Sequence, residues 1–140
     1  MVTKIDHLGI LVEDIDAAKP VFEFLGLETG AIEHIPGFGV EIAFIRVGES
    51  LIELVQPVED ESSIAADLDA VDNDALLHHV AFRVDDIQTQ LDLLHAADIP
   101  LADSEPRTGA GGSKVAFLAQ RASNGVRIEL VERKFEVTFD

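Results

Sequence analysis

Two histidines and two glutamates recur in register along this chain. Residues 5–15, IDHLGILVEDI, reappear as residues 77–87, LHHVAFRVDDI, which aligns His7 with His79. A second echo, LIELV at 51–55 and RIELV at 127–131, aligns Glu53 with Glu129. Two imidazoles and two carboxylates, supplied symmetrically, form a ligand set for a divalent metal ion. Alternation along a strand puts Glu53 on the face of Leu51 and Val55, and His7 on the face of Ile5, Gly9 and Leu11. A carboxylate or imidazole facing an apolar interior is costly unless it is paired or holds an ion. One cation drawing on both copies satisfies all four groups. Taken singly, each is as readily a packed or solvated side chain; repetition at matching places points to the metal.

The remaining histidines carry less. His78 is expected on the face opposite His79, as packing or as support for a ligand. His34, in a loop, and His95, near a helix end, read as surface residues. Glu41 is either a solvated outward residue or a base at the mouth of the site, and alternation leaves both open.

Charge excludes whole classes of partner. The 140 residues hold 27 acidic and 10 basic side chains, a net charge of −17. Nucleic acid and anionic membrane need Lys/Arg patches, which this balance denies them. The acids spread along the whole chain, which reads as adaptation to molar salt, where a Debye length of about 3 Å screens their repulsion. Apolar residues make up 47% of the chain, enough for a real core in a single domain, 1–140. With no cysteine, disulfides, thiolate ligands and a Cys nucleophile are unavailable. No stretch reads as a leader or a membrane span, and a cytoplasmic location is expected.

Periodicity places the candidate residues on elements. Residues 4–12 read as a strand, and Asp14 or Asp16 caps a helix to about Leu25, stopped by Gly26. Pro20 fits that helix only if the helix starts late enough to put proline in its first turn. Strands follow at 40–47 and 50–56, joined by a tight turn at Gly48-Glu49. The acidic connection 58–75 holds a short helix, IAADLDAV, capped by Ser62 or Ser63. The second copy repeats the order: a strand at 78–84, Asp86 capping a helix with Ile87, Leu91 and Leu94 on one stripe, then strands at 114–119 and 126–133. EIAFI (41–45) echoes KVAFL (114–118). Module one spans about 1–57 and module two about 76–133. The tail 134–140 is an extra strand or a loose end.

These stretches resemble the vicinal-oxygen-chelate (glyoxalase-like) superfamily and, within it, the methylmalonyl-CoA epimerases. IDHLGILVED, IELVQP, LLHHVAFRVDDI, SEPRTGAGGSKVAFL and GVRIELVE carry the likeness, which covers residues 4–132. The resemblance implies an α+β fold in which two tandem βαβββ modules form a cupped mixed sheet around a metal site. It implies His7, Glu53, His79 and Glu129 as ligands of Co²⁺, Mn²⁺, Ni²⁺, Mg²⁺ or Zn²⁺, an acyl-CoA substrate and a homodimer. The implied reaction interconverts (2R)- and (2S)-methylmalonyl-CoA by removing and returning the α-proton through an enolate whose charge the cation offsets. Such a reaction needs a general acid/base on each face of the carbon. Glu129 is the first choice for one face; Glu41, or a water relay, serves the other.

Where relatives carry a His-Pro-Lys segment, this chain has Ala119-Gln120-Arg121, a departure that withdraws support for a CoA contact there. Arg107, Lys114 and Arg121 are the nearest cations for CoA phosphates, although arginines on an acidic surface are mostly ion-paired. The TGAGG loop precedes a strand and lacks the Lys-Ser/Thr of a P-loop, so its glycines serve a tight turn or a close approach to substrate. Two other classes stay open: a glyoxalase I-type lyase with the same ligand set, and a metal-free small-molecule binding module, which has no need of four ligands. An extradiol dioxygenase, with a 2-His-1-carboxylate iron site, ranks last.

Overall fold

The computed structural model describes residues 1–59, 62, 64–137 and 139. Strand β1 (Val2–Val12) leads through helix α1 (Ile15–Phe24) to β2 (Glu28–Ile35), β3 (Val40–Val47) and β4 (Ser50–Pro57). A short helix, α2 (Ala65–Asp69), connects to β5 (Ala75–Val84), α3 (Ile87–Ala96), β6 (Arg107–Thr108), β7 (Lys114–Phe117) and β8 (Ile128–Glu132). All eight strands form one sheet in the order β2-β3-β4-β1-β5-β8-β7-β6. Outward from the central antiparallel β1–β5 pair, both halves run alike: a parallel neighbour (β4, β8), then antiparallel strands. The α+β architecture with two βαβββ modules is the one expected.

The helices pack where the repeat dictates. Around α1 a cluster gathers Val12, Ile15, Ala43 and Leu54. Around α3 their counterparts Val84, Ile87, Ala116 and Leu130 gather in the same way. Even the first free helical N–H is handled alike: Gln56 Oε1 accepts from Ile15 N at 2.9 Å, and Glu132 Oε1 accepts from Ile87 N at 3.0 Å. Asp14 and Asp86 cap the two helices through their side chains. Helix α1 starts at Ile15, so Pro20 lies inside it and not in the first turn. The Asp16 carbonyl thereby loses its usual donor, which is tolerable because Pro20 faces solvent.

The other face of the sheet curls into a cup lined by a third cluster, including Leu11, Val40, Ile42, Phe44, Val55 and Val131. Strand β2 escapes the periodicity of the sequence because a register break between Thr29 and Ile32, around Gly30 and Ala31, interrupts its alternation. His34 therefore sits on a strand, exposed, and not in a loop; His95 is exposed in the last turn of α3. Ser62 caps the turn before α2, its Oγ 3.3 Å from Ile64 N; Ser63 lies outside the described residues. The C-terminal segment forms no strand among its described residues: Glu136 pairs with Arg83, and Val137 and Phe139 pack against the cup.

Candidate metal centre

The small residues of the two central strands make room for the site. Across the sheet, one row reads Leu51–His7–Ala81–Glu129, and the row beside it pairs Glu53 with Gly9 and Gly9 with His79. The His79 ring lies flat over Gly9, where a Cβ would stand 2.0 Å from Cε1. Over this floor three donor atoms converge. His7 Nε2 is 3.2 Å from His79 Nε2 and 3.0 Å from Glu129 Oε1, and His79 Nε2 is 3.7 Å from that oxygen. All three side chains are buried, and among the described residues Glu129 Oε1 has no polar neighbour in reach beyond these two imidazole nitrogens.

Two β-bulges shape the surroundings. In β1 the pairing steps from Ile5↔Phe82 to His7↔Ala81, leaving Asp6 as the extra residue. In β5 it steps from Gly9↔His79 to Ile10↔Leu77, leaving His78 as the extra residue. A bulged residue escapes alternation, so Asp6 and His78 both turn inward beside the histidine that follows them. Asp6 Oδ1 lies 2.6 Å from His7 Nδ1, and His78 Nδ1 lies 2.8 Å from His79 Nδ1. The expectation that His78 faces away from His79 is thus corrected, and Ile5, expected beside His7, is half-exposed on the outside.

Asp6 is fully buried and also accepts from Arg83 Nε and from Arg133 Nε and Nη2, each at 2.9 Å. Burial would raise its pKa, but His7 and Arg133 hold it far below the usual carboxylate range. Arg133 donates as well to Ala110 O and, at 3.3 Å, to Glu53 Oε2. Glu53 therefore approaches His7 from its Nδ1 side, at 3.1 Å, and not from the side of the three converging donors. The sequence pattern put four ligands on one ion; the structure brings three into one cluster, with Glu53 adjoining through His7.

Without a metal, the carboxylates around His7 favour a proton on its ring. Desolvation opposes that proton, yet Glu53, Asp6 and Glu129 together raise the His7 pKa to about 10. Burial lifts Glu53 to about 7 and depresses His79 to about 4. Two imidazole nitrogens and one buried carboxylate oxygen, all within 3.7 Å of one another, fit a divalent cation.

Glu41 lies outside this cluster. On β3 the side chains of Val40, Ile42 and Phe44 face the cup, so Glu41 between them faces the helices, paired with Gln56, whose side chain holds the N-terminus of α1. Arg107, Lys114 and Arg121 stand outside the cluster: Arg107 stacks on Phe38 and donates to Gly37 O, and Lys114 lies 3.8 Å from Glu132. The TGAGG loop is tethered across the cup, Gly111 N donating to the Glu33 carboxylate at 2.9 Å. Asp6, Arg133 and Asp67, which approaches His78, were missed by the reading of the sequence. A polar residue before each repeated histidine was the one available signal.

The chain belongs to the glyoxalase/bleomycin resistance protein/dioxygenase superfamily, whose sequence model matches residues 6–117. It is 35% identical over 132 residues to the ethylmalonyl-CoA/methylmalonyl-CoA epimerase of Cereibacter sphaeroides, covering 93% of this chain and 98% of that one. Its fold matches the crystal structure of methylmalonyl-CoA epimerase from Mycobacterium tuberculosis with a TM-score of 0.88 and 30% identity, over 96% of this chain and 90% of that one. It matches equally, at 0.88 and 28% identity over 96% and 100% of the two chains, a Streptomyces coelicolor methylmalonyl-CoA epimerase variant in complex with 2-nitronate-propionyl-CoA.

Proposed function

We propose that the protein is a metal-dependent epimerase that interconverts (2R)- and (2S)-methylmalonyl-CoA. The observation that carries this reading is the convergence of His7 Nε2, His79 Nε2 and the buried Glu129 Oε1 at the floor of an apolar cup. Relatives and structural neighbours named as epimerases of this substrate support it. His7, His79 and Glu129 would hold the cation, and Glu53, whose strand position pairs with Gly9 beneath the His79 ring, is the proposed fourth ligand. A bound divalent ion supplies a Lewis acid and a template for the thioester and carboxylate oxygens flanking the reacting carbon.

The protein's own groups then move the proton. Glu129 is the proposed acid/base for one face of the carbon, its carboxylate buried and pointed into the cup. With Glu41 turned to the helices, water is the proposed proton carrier on the other face. Phe38, Ile42, Val55 and Phe117 line the cup and lower the local dielectric, which strengthens each charge interaction with the developing enolate.

The proposal includes a homodimer, a cytoplasmic location and salt adaptation. Val21, Phe24 and Leu25 at the end of α1 are exposed apolar surface that a second copy would cover. Among the described residues, no helix is long and apolar enough to cross a membrane. Sedimentation in molar salt tests the dimer.

The activity is tested by following the α-proton of (2R)-methylmalonyl-CoA by NMR in D₂O and molar salt, with and without Co²⁺. Metal-dependent exchange with appearance of the 2S epimer is expected. Metal binding without exchange would transfer the reading to glyoxalase-type chemistry.

A further inference from the structure

His78 lies deeper in the hydrogen-bond pattern than packing requires. Its Nδ1 is 2.8 Å from His79 Nδ1, and its Nε2 is 2.9 Å from Asp67 Oδ2. Asp67 belongs to α2, the helix between the modules, and its other oxygen accepts from Arg127 Nη2 at 3.1 Å. An ionised carboxylate only accepts, so the Nε2 of His78 carries a hydrogen. A ring whose single hydrogen is held on Nε2 by Asp67 has a lone pair on Nδ1. The short Nδ1–Nδ1 approach then requires the hydrogen of His79 to sit on Nδ1. The Nε2 of His79 is left as a bare lone pair, aimed at His7 Nε2 and Glu129 Oε1.

The repeat supplies an independent comparison. His78 is the counterpart of Asp6, each is the extra residue of a bulge, and each meets the Nδ1 of the histidine that follows it. In module one a carboxylate anchors the imidazole directly. In module two the anchor is a carboxylate one residue further out, with His78 between.

We infer that His78 and Asp67 are positioning residues, which fix the tautomer and orientation of His79 so that its Nε2 is presented to the cation. The inference rests on the reading of His79 as a metal ligand, and it gives the acidic connection a working part: α2 carries the anchor of a ligand in module two. Outer partners of this kind change metal affinity by about 10–100-fold when removed.

The test compares His78→Phe, which keeps a ring against Phe117 but cannot bond, with His78→Gln, whose amide can accept from His79 and donate to Asp67. Asp67→Asn, at a partly exposed position, is a third variant. Two quantities are read: Co²⁺ affinity by calorimetry, and the His79 tautomer by ¹⁵N NMR in the metal-free protein. The expected result is the Nδ1–H tautomer in wild type, mixed tautomers and about 10–100-fold weaker Co²⁺ binding in His78→Phe, near-wild-type values in His78→Gln, and an intermediate loss in Asp67→Asn. A wild-type Nε2–H tautomer, or His78→Phe with unchanged tautomer and affinity, would overturn the inference. A wild-type protein that binds no Co²⁺ would instead remove the metal reading, while the tautomer measurement still decides the role of His78.

Discussion

The imidazole of His79 occupies the space that a side chain on Gly9 would need. A Cβ built on Gly9 stands 2.0 Å from Cε1 and 2.4 Å from Nε2 of that ring, so the two residues, paired across β1 and β5, are mutually exclusive in size. Gly9→Ala is expected to push the ring aside while the strand pairing persists. A displacement of about 1 Å at a catalytic centre can cost on the order of 100-fold in rate. The expected outcome is a loss of that order in kcat/KM with an unchanged far-UV circular dichroism spectrum; wild-type kinetics would show that His79 has another place to go.

Glu129 and Glu41 should separate cleanly. Glu129→Gln removes a proposed ligand and acid/base together, and a fall in kcat of at least about 10²–10⁴-fold is expected. Glu41→Gln changes a residue turned to the helices, outside the cluster of donors, and should leave kcat within about twofold. A large loss in the Glu41 variant would mean that the β3 register shifts when substrate binds.

Metal binding should release protons. His7, raised to about 10, and Glu53, raised to about 7, hold protons in the metal-free protein near neutral pH, and a cation requires both groups free of them. Calorimetry of Co²⁺ binding at pH 7 in buffers of different ionisation enthalpy should therefore report net release of roughly one proton or more. A buffer-independent enthalpy would contradict it.

The same shifts set the stability of the metal-free fold. Both pKa values lie above those of the unfolded chain, so the stabilisation they give is present at low pH. That from Glu53 is lost as pH rises from about 4.5 through 7, and that from His7 from about 6.5 through 10. His79, depressed to about 4, acts oppositely and loses its contribution as pH falls from 6.5 through 4. Tm without metal is expected to decline from pH 6.5 to 10, and the increment produced by Co²⁺ to grow over that range. A metal increment that shrinks toward pH 10 in non-precipitating buffer would reverse the argument.

Salt should favour turnover. With a net charge of −17 the protein repels an anionic CoA ester, and the repulsion is screened within about 8 Å at 0.15 M and 3 Å at 1 M. kcat/KM is expected to climb with KCl; a flat or falling profile would show that local cations already guide the substrate.

The residues that share a period were legible in the sequence, and those that break one were not. His7, His79, Glu53 and Glu129 stand out because duplication put each twice in the same setting, and Asp14, Asp86, Ile87 and Leu91 because caps and helical stripes are local. Asp6 and His78 were hidden by the bulges, which put two consecutive side chains on one face. Arg133 follows β8 and reaches Asp6, 127 residues away along the chain, a distance that no local pattern spans. Glu41 needed the phase of one strand, which the neighbouring Val40 and Ile42 leave ambiguous until the sheet is formed. β2 lost its alternation at its own irregularity.

Reading outward from the β1–β5 seam, the strand order is the same to the left as to the right, and the converging donors straddle that seam. A chain of half this length, holding one histidine and one glutamate, would own no such centre by itself. Two identical copies docked along their first strands would have it at once, on the axis relating them. In a single chain the two halves keep that arrangement without having to copy each other. The aspartate before one histidine and the histidine before the other use that freedom: one position, two residues, each answering to a different neighbour.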